Sequence, residues 1–209
     1  IGRFVHSHGL EAWLRDHADA TESALAELVE AVVCEGVAPL DGVVAAHSHR
    51  ARSVEELASL DRLLTARKLT PSSRLASAAC GRKLAAIAPR LASGDVLITG
   101  LAGVIERRET DGNLAVVGGT LARATGLTTL DASALELRGV AASLLSAAVR
   151  LGSLSPTGAQ TILARLTPPL AAAAEVAATL GLDEMRSTMP ELEMYALVHA
   201  RADGRLFST

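Results

Sequence analysis

The sequence predicts an all-α protein, a single-domain helical bundle of roughly eight to ten helices spanning residues 1–209. Hydrophobic residues make up 49% of the chain, enough for a sizeable core at this length. The aromatic residues are only two Phe, one Tyr and one Trp. Core volume must therefore come from Leu, Val, Ile and Ala on closely approaching backbones, which favours helix-on-helix packing. Apolar residues also recur with the helical period, and alternating apolar runs are scarce.

The first half of the chain shows several helix starts and stops. An early apolar face repeats at i, i+3, i+4, i+7 and i+8, and Gly36 is predicted to end that helix. This face is formed by Leu25, Leu28, Val29, Val32 and Val33. Ser53–Glu56 is a capping-box pattern that opens the next helix. Thr70–Pro71 opens another, because proline at the first helical position loses no hydrogen bond. Its predicted buried stripe is Cys80, Leu84, Ile87 and Leu91.

The second half of the chain also shows helix starts and stops. Residues 96–98 are interpreted as helix rather than strand, and residues 106–112 as an exposed break. Asp131 is predicted to cap a long helix, and because its apolar positions cover more than one face, this helix belongs in the middle of the bundle. Ser155–Pro156 starts the following helix, and Pro168–Pro169 breaks and restarts the chain.

Charge and cysteine content exclude several classes of protein. The chain has 20 basic and 23 acidic residues, a formal charge of -3, which argues against nucleic acid as a partner. The longest uncharged apolar run, residues 139–149, is shorter than the roughly 18 to 20 residues of a membrane span. Cys34 and Cys80 form no disulfide framework and favour a reducing, cytoplasmic location. Both lie on apolar helix faces and are predicted to be buried.

The candidate chemical groups do not assemble into a catalytic set. His47 and His49 lie roughly 200° apart around a helix, so they cannot both bind one ion and are interpreted as surface residues. His6 and His8 share a face of an extended segment and are candidate metal ligands, although tight sites use three or four donors. Gly118–Gly119 lacks the strand and lysine of a phosphate-binding loop, and the sequence contains no nucleophile elbow. We therefore expect no catalytic residue and no bound cofactor.

Five segments resemble the UreF-type urease accessory proteins. Gly2–Glu11 matches the Gly-X-Phe-X-X-Ser-X-Gly-Leu-Glu stretch near the start of that family, and Arg205–Phe207 matches its Arg-Leu-Phe tail. Residues 111–118 resemble the entry to the family's Val-Val-Phe-Gly stretch, with Asn and Leu where histidines often stand. Residues 147–160 are similar to its long central helix, loop and next helix start. Residues 190–199 are similar to the segment that usually ends Met-Arg-His-Glu.

The resemblance implies a nickel-insertion chaperone rather than an enzyme. UreF proteins are all-helical homodimers that bind a UreD-type (also called UreH-type) protein and then a UreG-type GTPase. The resulting complex delivers nickel to apo-urease, so nickel would pass through the assembly without being a cofactor of this chain. The end segments 1–16 and 200–209 are then expected to dock partners. The expected partner-binding residues are Phe4, His6, Ser7, His8, Gly9, Glu11, Trp13, His199, Arg205, Leu206 and Phe207.

Within these end segments, we expect the tail to fold back so that Arg205 lies near Glu11 and Trp13, where a guanidinium could pair with the carboxylate and cover the indole. Two alternatives remain open. One is a helical metal-binding protein or enzyme in which the imidazoles of His6, His8 and His199 converge on one ion. The other is a generic helical interaction module. Small residues could support close helix approach either within the fold or across a dimer. They are Gly139, Ala141, Ala142, Ser143 and Ser146.

Overall fold

The computed structural model describes residues 9–189 and the backbone of 191–199, with the side chains of Glu191, Leu192, Met194, Tyr195 and Leu197 in that last stretch. In this part of the chain, all regular structure is helical, which confirms the predicted fold class. The α-helices are α1 (Leu10–Asp16), α2 (Glu22–Ala31), α3 (Val43–Arg50), α4 (Val54–Arg67), α5 (Pro71–Leu91), α6 (Val96–Glu106), α7 (Leu114–Ala124), α8 (Thr129–Arg150), α9 (Pro156–Arg165), α10 (Thr167–Thr179) and α11 (Glu191–His199). A π-helix (Val32–Gly42) joins α2 to α3, and a 3₁₀ turn (Leu182–Glu184) follows α10.

Helix α8 lies at the centre, as its two-sided apolar pattern predicts. It packs against the π-helix and against α1, α2, α3, α7, α9 and α10. The prediction that Asp131 caps α8 was wrong, because Asp131 is the third residue of the helix. Thr128 is the cap: its hydroxyl accepts the Asp131 N–H at 3.1 Å, and the Asp131 carboxylate accepts the Thr128 N–H at 2.8 Å. This reciprocal capping box fixes the start of the core helix one turn earlier than a single capping aspartate would.

Among the described residues, α8 is also the one helix long and apolar enough to cross a membrane by length and composition. However, 56% of its most apolar window is buried within the fold. Burial on this scale is what a central core helix requires, because such a helix contacts neighbours on most of its faces. Its apolar character is therefore accounted for by packing inside the bundle.

The chain is helical without interruption from Glu22 to Arg50, so the prediction that Gly36 ends a helix was wrong. Between α2 and α3 the backbone widens into the π-helix, which contains Pro39. A proline inside an α-helix loses one hydrogen bond, and its ring crowds the carbonyl four residues earlier, here that of Glu35. The wider π-helical turn accommodates the ring without ending the helix.

Helices α4 and α5 start where predicted. Ser53 accepts the Glu56 N–H at 3.2 Å, but the Glu56 carboxylate accepts the N–H of Arg52 rather than that of Ser53, so only half of the predicted box forms. The Thr70 hydroxyl caps α5 by accepting the Ser73 N–H at 3.1 Å.

The predicted buried stripe of α5 holds only in part. Cys80 and Leu84 are buried and Ile87 is half-buried, but Leu91 is 58% exposed, so its predicted burial was wrong. Because 3.6 residues complete a turn, the buried face moves around the helix and is occupied by Ala88 and Ala92 at this end.

The remaining helix boundaries agree with the sequence except at the predicted break. Residues 96–98 form the first turn of α6, and Ser155 caps α9 by accepting the Gly158 N–H at 2.9 Å. Helix α10 begins at Thr167 with prolines in its first turn. Residues 106–109 are exposed as predicted, but Thr110 and the two residues before α7 are buried. Only the first half of the predicted break is exposed, because Thr110 and Gly112 in its second half donate to the buried carboxylate of Asp61 on α4.

Candidate partner-docking site

The two ends of the described chain belong to neighbouring helices. Helix α1 begins just after residues 1–8, and α11 ends just before residues 200–209; the two helices pack against each other. The Trp13 indole N–H donates to the Glu191 carboxylate at 3.0 Å, across 178 positions of sequence. We call α1 and α11 the terminal helix pair. The two helices run in the same direction, because Trp13 meets Glu191 and His17 meets Tyr195, so α1 begins and α11 ends at opposite ends of this pair.

Helix α1 is fixed by a glycine start and a buried face. Gly9 precedes the helix with φ of 88°, a left-handed conformation that favours glycine. Leu10 is fully buried and Trp13 is 6% exposed. The Glu11 side chain is also buried, at 2% exposed, and its carboxylate pairs with Arg15 one turn later at 2.7 Å. The Gly-Leu-Glu sequence thus combines a conformational requirement, a core contact and a buried carboxylate.

An aromatic cluster connects α1 to α11. The Trp13 and His17 rings stack with centroids 4.3 Å apart, and His17 meets the Tyr195 ring edge-on at 6.2 Å. His17 Nδ1 donates to the Trp13 carbonyl at 2.9 Å, since a carbonyl can only accept. Burial and the nearby Asp16 and Glu191 carboxylates raise the pKa of the Tyr195 phenol, which keeps it protonated.

Sequence reasoning missed His17, Glu191 and Tyr195 as parts of this contact. The available signal was the four-residue spacing of Trp13 and His17, which places both rings on one helix face. Of the predicted partner-binding residues, Gly9, Glu11 and Trp13 lie in the terminal helix pair. Glu11 contacts Arg15, and Trp13 contacts Glu191 and His17.

The other predicted site residues fall outside the described residues. They are Phe4, His6, Ser7, His8, Arg205, Leu206 and Phe207, together with the side chain of His199. The expected approach of Arg205 to Glu11 and Trp13 and the convergence of three imidazoles therefore stay predictions. On α11 itself, Met194 and Leu197 are 64% and 49% exposed and lie one turn apart.

Two histidines on α3 are not the surface residues that the sequence analysis predicted. His47 Nε2 donates to the Leu180 carbonyl at 3.0 Å, and His49 Nε2 donates to the Leu127 carbonyl at 2.7 Å. Both rings are partly buried because they satisfy backbone carbonyls just beyond α10 and α7. The two imidazoles therefore bind carbonyls in different parts of the chain. Within residues 9–189 and 191–199, no three His, Cys, Asp or Glu side chains are grouped to hold a metal ion.

The cysteines are placed as small apolar residues. Cys80 is 3% exposed, as predicted. Cys34 is half-buried, so its predicted full burial was wrong, and its Sγ lies 3.8 Å from the Pro169 carbonyl oxygen. Burial raises the pKa of the Cys34 thiol, and the carboxylates of Glu30 and Glu35 raise it further. The reactive thiolate is therefore disfavoured at that position.

A buried polar network fixes the entry to α7. The fully buried carboxylate of Asp61 accepts the Thr110 hydroxyl, the Gly112 N–H at 2.9 Å and the Asn113 N–H at 2.6 Å. The Asn113 side-chain amide also donates to this carboxylate at 3.1 Å. A Cβ at Gly81 would lie 1.9 Å from the Gly112 carbonyl oxygen, so α5 packs directly on this loop. Asn113, which stands where the resemblance often has histidine, is a structural residue here.

These observations define an all-helical fold in which the helices next to the two end segments pack together. The UreF family model matches residues 20–167. Urease accessory protein UreF 2 of Brucella canis is 30% identical over 210 residues, covering 99% of this chain and 86% of the relative. Urease accessory protein UreF of Yersinia enterocolitica is 30% identical over 214 residues, covering 100% and 92%. The chain belongs to the UreF family, which confirms the resemblance.

The family-model match and the full alignments cover different parts of the fold. The matched residues 20–167 run from just before α2 to the start of α10 and leave out the terminal helix pair. The alignment with the Yersinia enterocolitica relative spans the whole chain, including that pair. Family membership therefore rests on the helical body and extends to both ends.

Proposed function

We propose that this protein is a urease accessory protein that acts as a nickel-insertion chaperone. In this proposal it bridges a UreD/UreH-type protein and a UreG-type GTPase while the nickel centre of apo-urease matures. Family membership supports the urease role. The structural observation that supports the bridging role is the terminal helix pair, because the helices next to the two docking segments contact each other directly. A partner bound at one docking segment would therefore be held close to a partner bound at the other, which raises the effective concentration of each for the other.

The proposal assigns nucleotide chemistry and tight nickel capture to the partners. Its support is that three buried or half-buried carboxylates are engaged by the protein's own donors. Asp41 pairs with Lys68 at 2.7 Å, and Asp95 pairs with Arg123 at 2.7 Å. Asp61 holds the loop before α7. Carboxylates used in this way stabilise the fold and are not placed to act as general acids or bases.

The proposed homodimer would use the outward face of α8. Ala141 and Ser143 are buried inside the fold, whereas Gly139, Ala142 and Ser146 are half-buried and Leu135 is 54% exposed. Small residues allow two copies of one helix to approach closely about a two-fold axis, the commonest symmetry of soluble oligomers. Light scattering at micromolar concentration should give twice the 21.5 kDa chain mass. A purely monomeric protein would contradict the proposed dimer.

The bridging role is tested by loosening the terminal helix pair. Glu191→Ala removes the acceptor of the Trp13 N–H, whereas Glu191→Gln keeps an acceptor oxygen. We expect the alanine variant to weaken co-purification with the UreD/UreH-type partner several-fold, the order expected for one hydrogen bond of about 1 kcal/mol. The glutamine variant should bind nearly as wild type. Glu175→Ala, on the exposed face of α10, is the matched control and should have no effect.

Deletion of residues 204–209 tests the tail itself. We expect loss of partner binding with unchanged helicity by circular dichroism, because an exposed terminus contributes little to the core. Full partner binding by the truncated protein would refute the assignment of the tail as a docking element. Cytoplasmic location follows from the same proposal, since the proposed partners are assembled there with apo-urease.

A further inference from the structure

A cavity of about 130 Å³ lies between the π-helix, α5 and α8. Its polar end contains the buried ion pair of Lys68 and Asp41, with Nζ 2.7 and 2.8 Å from the two carboxylate oxygens. The Cys80 side chain lines the wall formed by α5. The remaining walls are largely apolar. The cavity is partly open to solvent and lies next to a buried charge pair, and part of its rim comes from the C-terminal part of the chain.

This boundary is formed by residues 182–189, which we call the strap. Ser187 and Met189 of the strap line the cavity, and Leu192 at the start of α11 lines it as well. The strap crosses the π-helix, and its backbone donates hydrogen bonds to two carbonyls there. The Arg186 N–H bonds to the Pro39 carbonyl at 3.1 Å. The Thr188 N–H and hydroxyl both bond to the Glu35 carbonyl, at 3.3 and 3.0 Å.

The acceptors of the strap lie in the π-helix, which contains Pro39. The carbonyls of Glu35 and Pro39 accept the donors of the strap there. The helix irregularity that the sequence analysis misread as a stop at Gly36 is thus the attachment point of the strap.

The strap has one buried side chain. This is Met185, at 3% exposed, and its carbonyl accepts the Arg67 guanidinium at 2.9 Å, whereas Leu182 and Met189 are half-buried against the core. Arg186 and Thr188 are exposed. Segments with few buried apolar contacts and exposed backbone hydrogen bonds open locally at a lower free energy than the whole domain.

We propose that the strap is a lid that releases from the π-helix as a unit and widens the partly open cavity, exposing the wall that holds Cys80. Helix α11 follows the strap directly and bonds to α1 through Glu191 and Trp13. Opening of the lid is therefore coupled to the position of the terminal helix pair. This conformational device goes beyond the proposed docking function, and it would operate in the isolated protein with no partner present.

The lid is tested by the reactivity of Cys80, which is buried at the cavity wall. The full chain with Cys34→Ala has Cys80 as its one thiol, and its labelling by Ellman's reagent reports opening. Thr188→Val removes the hydroxyl donor to Glu35, and Pro39→Ala supplies an N–H that competes for that carbonyl. We expect each change to accelerate Cys80 labelling about five-fold, the factor for a hydrogen bond of about 1 kcal/mol.

The control is Thr179→Val, an exposed threonine whose hydroxyl donates within α10 to the Val176 carbonyl at 2.8 Å. It should leave the labelling rate unchanged. If Cys80 is labelled through local opening of the lid, its labelling rate should barely change with urea at low concentrations, because this opening exposes little new surface. The proposal is overturned if Thr188→Val labels at the wild-type rate, or if labelling rises with urea as steeply as global unfolding. If Pro39→Ala does not fold, Thr188→Val alone decides.

Discussion

Replacing Asp61 with alanine is expected to destabilise the protein by about 4 kcal/mol. The Asp61 carboxylate is fully buried and holds the loop that leads into α7 through the N–H groups of Gly112 and Asn113. Alanine removes the acceptor but leaves both N–H groups in place. The loop cannot move toward water without disturbing α5, because Gly81 lies against it.

The magnitude follows from the two backbone donors. A buried donor that loses its acceptor costs about 1 to 3 kcal/mol, so two donors cost about 2 to 6 kcal/mol. The Thr110 hydroxyl can rotate to another acceptor and is left out of this sum. For a chain of this size, about 4 kcal/mol lowers the melting temperature by roughly 8 to 16 °C. Asp61→Asn keeps one acceptor oxygen and should cost about half as much.

Urea unfolding followed by circular dichroism at 222 nm measures this difference. The matched control is Asp111→Ala in the same loop, where the exposed carboxylate accepts the Thr65 hydroxyl at 2.8 Å. Its effect should stay within about 0.5 kcal/mol, as is usual for surface substitutions. If Asp61→Ala lies within about 1 kcal/mol of wild type, or is no worse than Asp111→Ala, the buried network does not fix the loop.

Two further predictions concern neighbouring glycines and acid stability. A Cβ at Gly119 would lie 2.2 Å from the Ala45 carbonyl oxygen, whereas a Cβ at Gly118 meets nothing within 4 Å. In urea unfolding, Gly118→Ala should therefore raise the free energy of unfolding by up to about 1 kcal/mol, and Gly119→Ala should lower it by about 1 to 3 kcal/mol. If both substitutions change the free energy of unfolding in the same direction, the close contact between α3 and α7 is contradicted. At Asp95, burial raises the carboxyl pKa, but hydrogen bonds from the start of α6 and from Arg123 outweigh it and hold the pKa below its usual value. The resulting stability is present above the unfolded pKa of about 3.9 and is lost as pH falls through the lower folded pKa. The stability gap between wild type and Asp95→Asn should thus be full at pH 7 and shrink below about pH 4; a gap that widens in acid would be inconsistent with this pKa shift.

Local signals predicted most of the helix boundaries. Thr70–Pro71 and Ser155–Pro156 combine a capping hydroxyl with a proline that tolerates the first helical position, and both effects depend only on adjacent residues. Gly36 shows where local reasoning fails. Glycine often follows a helix end, but here the π-helix continues through Gly36, and two of the helix carbonyls, those of Glu35 and Pro39, accept donors from the distant strap.

The candidate site was less accessible to prediction, because its contacts join distant parts of the chain. Gly9, Glu11 and Trp13 were selected through the family resemblance, and all three lie in the terminal helix pair. The partner of Trp13, however, is 178 positions away, and the donors to Asp61 are 49 to 52 positions away. Periodicity and capping rules act over one or two turns, so they cannot specify such pairs.

These long-range contacts divide the protein into two parts with different stability. The body is built around α8, whose Leu137 and Leu144 are fully buried among small residues that allow close helix approach. The C-terminal arm, residues 182–189 and 191–199, is attached by hydrogen bonds to the π-helix, by the bond between Trp13 and Glu191, and by Met185 and Leu192, which are buried in the core cluster. In the proposed function, a partner that binds the end segments would act first on this arm. Release of the strap would then change the docking surface while the core around α8 stays in place.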